Sequence, residues 1–237
     1  MGKPKAFNGV GSDYRSVPQM MSKSNRIAAA VDAFGDGEPV LVYDAADRES
    51  EVDIVYPPEN ITHADIARLR NDAGGLICVA LSDTVCRTLG LPFLRETIDH
   101  PVAAEHDRGY GDRSASSLSV NHIDTFTGIT DADRALTIRN LSACAATPDV
   151  EGFAEEFRTP GHVRLLRAAP GLLDDRQGHT ELGVAIARAA DCPPAAVVCE
   201  MLDDESGDAL SRAAAKEYAN REGLVYVEAT TLVDYFA

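Results

Sequence analysis

The sequence predicts an α/β (α+β) fold: one domain in which a mixed β-sheet is layered between α-helices. Three observations carry that prediction. Helix-period and strand-like segments alternate along the chain. The run Leu76–Leu81 is apolar throughout, which marks a strand buried in the sheet. No Pro/Ser-rich linker and no internal repeat divides residues 24–237. The 237 residues are 45% hydrophobic, so a sizeable core can form.

Residues 1–23 mix Gly, Pro, Ser and Lys without periodicity and predict a flexible arm. Ser24 can cap a helix carrying Ile27, Val31 and Phe34, which Gly35 and Gly37 stop. Pro39–Tyr43 reads as a strand, and Thr62 can cap a helix through Ile66 and Leu69 that ends at Gly74-Gly75. After the strand 76–81, Ser117–Asn121 alternates as a further strand. Thr130 can cap a helix bearing Leu136, Ile138 and Leu141. Residues 180–190 and 208–222 read as helices, 195–201 as a strand, and Val225 and Val227 lie in a last strand. Arg95–Ser114 and Thr147–Pro160 read as long loops within the domain.

With 22 basic and 38 acidic residues the formal charge is −16, which argues against a binder of nucleic-acid phosphates or of an anionic membrane surface. No apolar run approaches the ~20 residues of a membrane span, and the N-terminal segment lacks the apolar region of a secretory signal. Only four of the basic residues are Lys (Lys3, Lys5, Lys23, Lys216). An acid-rich, Lys-poor surface suits a salt-rich, halophilic cytoplasm, where repulsion is screened. The plainer alternative is an ordinary acidic soluble protein. Five cysteines, an odd number without C-x-x-C spacing, predict free thiols in a reducing cytoplasmic setting.

Four segments can carry chemistry. Asp44-Ala-Ala-Asp47-Arg48-Glu49-Ser50-Glu51-Val52-Asp53 holds five acids directly after a strand. If it stays extended, Glu49, Glu51 and Asp53 point the same way. Converging carboxylates repel one another unless a cation or a shared proton sits among them, which suits a hard divalent metal or a general base. In so acidic a chain a merely solvated loop is the competing reading. Arg176-Gln177-Gly178-His179-Thr180-Glu181 precedes an amphipathic helix, whose free N–H groups and dipole attract anions. The same dipole disfavours a charged His179 and leaves an imidazole able to bind metal; alone, a Thr cap with a surface His would explain it. His162 sits in Gly161-His162-Val163 beside an apolar stretch, where an ordinary surface or core histidine is the commoner case. Glu200 ends the apolar strand Val197-Val-Cys199-Glu200, so it must face water or serve a site. His63, His100, His106 and His122 lack such settings and read as surface residues.

Taken together these segments resemble the 3,4-dihydroxy-2-butanone 4-phosphate synthase family of riboflavin biosynthesis, from about Ser24 to the C-terminus. The motifs are D-R-E-x-E-x-D (Asp47–Asp53), G-L-I-C (Gly75–Cys78), T-G-I-T-x-x-D-R (Thr127–Arg134), P-G-H-V (Pro160–Val163), G-H-T-E (Gly178–Glu181) and C-E (Cys199-Glu200). The resemblance implies a lyase that converts ribulose 5-phosphate to L-3,4-dihydroxybutan-2-one 4-phosphate and formate. It implies magnesium, with manganese as a substitute and room for two ions per subunit, and a homodimer whose sites lie near the interface. It also implies a stand-alone synthase without a fused cyclohydrolase.

By match of motif, Glu49 and His179 are the implied metal ligands. His162 and Glu200 are the implied acid/base pair, with Glu51, Asp44 and Cys78 as further catalytic groups. Arg48, Glu49, Asp53, Thr127, Arg176, Gln177, Gly178, His179, Thr180 and Glu200 are the implied substrate contacts. A buried strand thiol is the alternative for Cys78. The sequence departs from the family at Ser50, where Asn is common, along Ser114–Val120, and at Arg164-Leu165, where Phe-Pro is usual. The rival readings are a sugar-phosphate-binding or metal-binding module without activity and an acidic interaction protein. The first would lack an acid/base group, and none is missing here. The second leaves His162, His179 and Glu200 unexplained.

Overall fold

A computed structural model describes residues 23–104 and 113–236. Seven strands form one sheet in the order β4-β5-β3-β6-β2-β1-β7. They are β1 (Val40–Tyr43), β2 (Val52–Tyr56), β3 (Cys78–Leu81), β4 (Ser116–His122), β5 (Phe157–Arg167), β6 (Ala195–Glu200) and β7 (Val225–Glu228). The sheet is mixed: β1/β7 and β3/β5 pair parallel, the other neighbours antiparallel.

Helices cover both faces, which is why the central strands are buried, save Glu200 at the end of β6. On one face lie α1 (Lys23–Gly35), α6 (His179–Ala189) and α8 (Ala229–Phe236). Ile27, Phe34, Leu182, Ile186 and Leu232 pack there on Val40, Val42, Val55, Cys78 and Val198. On the other lie α2 (His63–Arg68), α3 (Asp83–Thr88), α4 (Asp131–Ala146) and α7 (Arg212–Glu222). Their Ile66, Val85, Ile138, Leu141 and Tyr218 pack on Leu41, Ile54, Val79, Leu165 and Val197. One short helix, α5 (Val150–Glu156), leads into β5.

Most expected elements are present, with bounds moved by their caps. Thr62 caps α2 through a capping box with Asp65, and Thr130 caps α4 through the Asp133 N–H. Ser24 is not a cap, because α1 already opens at Lys23. The helix expected over 208–222 starts at Arg212, since Ser211 accepts from Ala214 N and caps it there. The helix expected to run from Thr62 to Gly74 is α2 followed by a π-turn, Leu69–Ala73, which left-handed Gly74 (φ 86°) ends.

Five elements went unanticipated: β2, α3, α5, β5 and α8. Thr147–Pro160 is therefore not a long loop: Asp149 caps α5, and β5 begins at Phe157. The strand signal of β5 is broken by Pro160 and Gly161, which fall where β5 overhangs β3 and where its register with β4 shifts. In Arg95–Ser114 the described part holds a short 3₁₀ turn, Pro101–Ala103, after another at Leu94–Glu96. Residues 105–112, with His106, and the expected arm, save Lys23, lie outside the described residues. His122 is a correction: it is buried, edge-on to Phe157.

Candidate active site

Register assembles the site. Alternation along the strands sends Val40 and Val42 of β1, Val55 of β2 and Val198 of β6 to the α6 face. Asp53 and Glu200, two residues from Val55 and Val198, therefore share that face. They are direct partners across β2 and β6, and Asp53 is also opposite Val42. Cys78 follows on β3, flanked by Val198 and Arg164. The rim collects the C-terminal ends of β1 and β6, the N-terminal ends of β2 and β3, and the start of α6.

The acidic segment is folded by its own first carboxylate. Asp44 is buried; its Oδ2 accepts the Glu49 N–H and its Oδ1 the Glu51 N–H, both at 3.0 Å. Arg48 Nε lies 3.8 Å from Asp44 Oδ2. The segment is thus a turn over 46–49 rather than an extended run, and of its acids only Asp53 stands in a strand. Ser50 takes φ 59°, a left-handed conformation that Asn adopts readily. The turn still presents Glu49 and Glu51 to the same space as Asp53. Burial, then Glu49, Glu200 and Asp44, push the Glu51 carboxyl up to about 7. Asp53 is raised well above the usual range by its burial and the same acids.

His179 opens α6 behind Gly178, which contributes no side-chain cap. Its Nε2 lies 3.1 Å from the Val42 carbonyl oxygen. A carbonyl only accepts, so Nε2 carries the proton and Nδ1 keeps its lone pair. Burial holds the ring below its ordinary pKa and so keeps it neutral. The bare Nδ1 faces Asp53 Oδ1 at 3.4 Å and Glu49 Oε2 at 4.0 Å. Asp53 Oδ1 is buried without a hydrogen-bond partner. Ligand atoms of Asp44, Glu49 and His179 lie within 4.8 Å of one another. A lone pair aimed at two carboxylates, one with an orphaned oxygen, is a donor set that fits a divalent cation. The His179 pKa shifts in the direction expected from the helix dipole, but its cause is burial.

Glu200 is held from below. Leu76 N donates to its Oε2 at 2.8 Å, and Gly75 N to its backbone oxygen at 3.0 Å. A Cβ on Gly75 would meet Glu200 O and Oε2, each at 2.5 Å. Cys78 is buried, and burial with the nearby Glu200 charge raises its pKa, so it remains a thiol.

The segment expected to hold an anion is built around a buried pair. Arg176 Nη1 donates to Glu181 Oε2 at 2.6 Å, and Glu181 Oε1 also accepts the Ala169 N–H at 2.9 Å. Arg176 lies against Gly178, where a Cβ would meet its Nη1 at 2.7 Å. Thr180 is buried and Gln177 exposed. His162, exposed on β5, has Asn121 as its side-chain partner, at 3.1 Å between Nδ1 and Nδ2. Thr127 is exposed and bound to Asp133 Oδ2 through its N–H at 3.0 Å. Among the described residues no hydrogen bond or ion pair joins His162 or Thr127 to the acidic turn or to His179.

The residues missed by sequence reasoning are Gly75, Leu76 through its N–H, and Asn121. Their signals were slight: a Gly-Gly pair before a strand, and an Asn at a strand end.

The chain matches the family model described as 3,4-dihydroxy-2-butanone 4-phosphate synthase over residues 28–235. It is 44% identical over 226 residues to the 3,4-dihydroxy-2-butanone 4-phosphate synthase of Methanosarcina mazei, covering 90% of this chain and 92% of that one. A crystal structure of a 3,4-dihydroxy-2-butanone 4-phosphate synthase in complex with two magnesium ions superposes with a TM-score of 0.76 at 32% identity, over 89% of this chain and 95% of that one. The two-domain synthase of A. baumannii superposes with a TM-score of 0.75 at 31% identity; 89% of this chain is covered, which spans 57% of that longer one. With the family model matching most of its length, this chain belongs to the 3,4-dihydroxy-2-butanone 4-phosphate synthase family.

Proposed function

We infer that the protein is a lyase that converts D-ribulose 5-phosphate to L-3,4-dihydroxybutan-2-one 4-phosphate and formate, a step of riboflavin biosynthesis. The observation that carries this reading is the placement of His179, whose Nδ1 faces Glu49 of the acidic turn and Asp53 of β2. Glu49 and His179 are the ligands for magnesium, with Asp44 in reach. A bound divalent cation supplies Lewis acidity at adjacent sugar oxygens. Manganese can take its place, and two ions fit the number of carboxylates.

The chain's own groups handle protons and position the sugar phosphate. Glu51, with its pKa near 7, can take and return a proton at neutral pH. His162 and Glu200 work on substrate protons, and Cys78 contributes a thiol rather than a nucleophile. Arg48, Asp53 and Thr127 contact the sugar. Gln177, Gly178 and Thr180 place the N-terminus of α6 at the phosphate, with Arg176 beside it.

We further propose a cytoplasmic homodimer. Phe126 is 94% exposed, and Ile129 and Ile123 are about half exposed in the same loop after β4. A second copy would cover this apolar patch and bring Thr127 and His162 toward the partner's acidic turn. Phe126→Asp should shift the protein to monomer in sedimentation velocity; an unchanged dimer would remove the patch from the interface. No described helix is long and apolar enough to cross a membrane, and all five cysteines are free.

The deciding assay is formate release from ribulose 5-phosphate with magnesium, with and without EDTA. Metal-dependent formate is the expected result. A folded protein that released none with magnesium or manganese would leave only the binding module. Glu49→Gln and His179→Ala should each abolish turnover without unfolding the chain; wild-type rates in either would contradict the ligand assignment.

A further inference from the structure

We propose that Tyr43 is a positioning residue for the acidic turn: its hydroxyl, bound to Ser50, holds the shape in which Glu49 faces His179. The inference rests on the reading of Glu49 and His179 as metal ligands and specifies what keeps the first of them in place.

Ser50 is the weak point of the segment. At φ 59° it is left-handed, a conformation that strains a residue with a Cβ and that serine adopts less readily than asparagine or glycine. Its neighbours on both sides are tied to Asp44, whose carboxylate accepts the Glu49 and Glu51 N–H groups. Ser50 itself is exposed, and its side chain turns back to the residue before Asp44: its Oγ lies 3.1 Å from the Tyr43 hydroxyl. Either hydroxyl can donate in that bond, and the fastening is the same both ways. Glu49, Ser50 and Glu51 are thus all fastened to the end of β1.

The Tyr43 hydroxyl is a fixed point because its ring is held. Tyr43 is buried as the last residue of β1, paired with Val52 of β2 and Glu228 of β7. The Arg212 guanidinium covers the ring, its Cζ 5.0 Å from the centroid. Arg212 is in turn held by an ion pair with Glu228, which Lys216 joins at 3.0 Å. The ring packs in the core on the α7 face, whereas Val42, whose carbonyl meets His179, faces α6. Tyr43 therefore acts on the site only through the turn. Three successive residues divide the work: the Val42 carbonyl orients His179, Tyr43 holds Ser50, and Asp44 holds the amides on either side of it. Without the hydroxyl the Asp44 bonds remain, but the left-handed residue between them is free to relax and the Glu49 carboxylate moves with it.

The test removes the bond from either side in the full chain, by Tyr43→Phe and by Ser50→Ala. Ser50 is exposed, so the second variant decides even if the first fails to fold. Each should weaken magnesium binding in calorimetry about tenfold, as loss of a partner behind a metal ligand does. Each should also speed hydrogen exchange at the Glu49 and Glu51 amides of the metal-free protein by a similar factor in NMR. The double variant should be no worse than either single one, since both delete one bond. Adding Ser50→Asn to Tyr43→Phe should restore both readouts, because asparagine takes the left-handed conformation readily. Affinity and exchange unchanged in both single variants would overturn the inference. Additive losses would overturn it too, as would a loss in Tyr43→Phe that Ser50→Asn leaves unrepaired, the mark of a general loosening of the core. If the wild type bound no magnesium but the amides responded as expected, the metal reading would fall and the positioning role would stand. Magnesium binding that neither variant altered, with amides equally indifferent, would do the reverse.

Discussion

A methyl group at position 75 would lie 2.5 Å from both the backbone oxygen and Oε2 of Glu200. The close approach lets the neighbouring Leu76 N–H reach that carboxylate at 2.8 Å. Gly75→Ala should therefore displace Glu200, not the metal ligands. Displacements of an ångström at a reacting group cost about a hundredfold in rate. The expected outcome is a kcat loss of that order in the formate assay, with magnesium affinity by calorimetry unchanged. Equal loss of metal binding would mean that the substitution collapses the whole rim. Asp53 makes the complementary point. A carboxylate buried among four others and a bare imidazole nitrogen has no stable ionised state on its own. Cation binding or protonation must accompany its burial.

At the scale of elements, α6 and α4 each depend on one acid. Glu181 is fully buried in α6, and burial raises its pKa despite the Arg176 guanidinium 2.6 Å away. Removing the partner of a buried charge costs about 3 kcal/mol or more. Arg176→Ala should lower stability by that order in urea unfolding, besides raising KM if the residue also meets phosphate. A rise in KM alone would show that Glu181 finds another partner. At the start of α4, Asp133 accepts the N–H groups of Gly128, Thr127 and Phe126, and the Gly128 bond leads in holding its pKa below 3.8. A depressed carboxylate contributes stability that is present above its unfolded pKa and lost as pH falls through its folded one. Asp133→Asn should accordingly be less stable at neutral pH and lose less stability on acidification below 3.8. Parallel acid-unfolding curves for the two proteins would contradict this.

For the whole molecule the charge of −16 dominates. Mutual repulsion of the acids opposes the compact state and is screened by salt. If the composition is an adaptation to salt, the melting temperature should climb steadily with KCl into the molar range. A protein most stable without salt would rule that out. Among the exposed large hydrophobics of this surface Phe126 is the most exposed, with Ile129 and Ile123 in the same loop after β4, which is why the proposed second copy is placed there.

What local chemistry governs is readable within a few residues of chain. Thr62 and Thr130 cap their helices because a hydroxyl needs only the N–H three residues on. Cys78–Leu81 is legible as a buried strand because its apolar run needs no partner to be recognised, although the run starts at Leu76, which lies outside the strand and is half exposed. The six motifs, read as a resemblance, named the family. Tertiary structure decided everything that joins distant segments. β5 escaped notice because its Pro and Gly are tolerated only by a bulge formed with β4. Asp53 meets Glu200 through strand register, and register is set by which face of each strand is buried. His179 owes its tautomer to the Val42 carbonyl, 137 residues away, and His162 has its side-chain partner in Asn121, 41 residues away. Residue types limit which chemistry a chain can attempt. The pairing of strands sets which lone pair faces which proton, and no pattern within a short window of sequence encodes that.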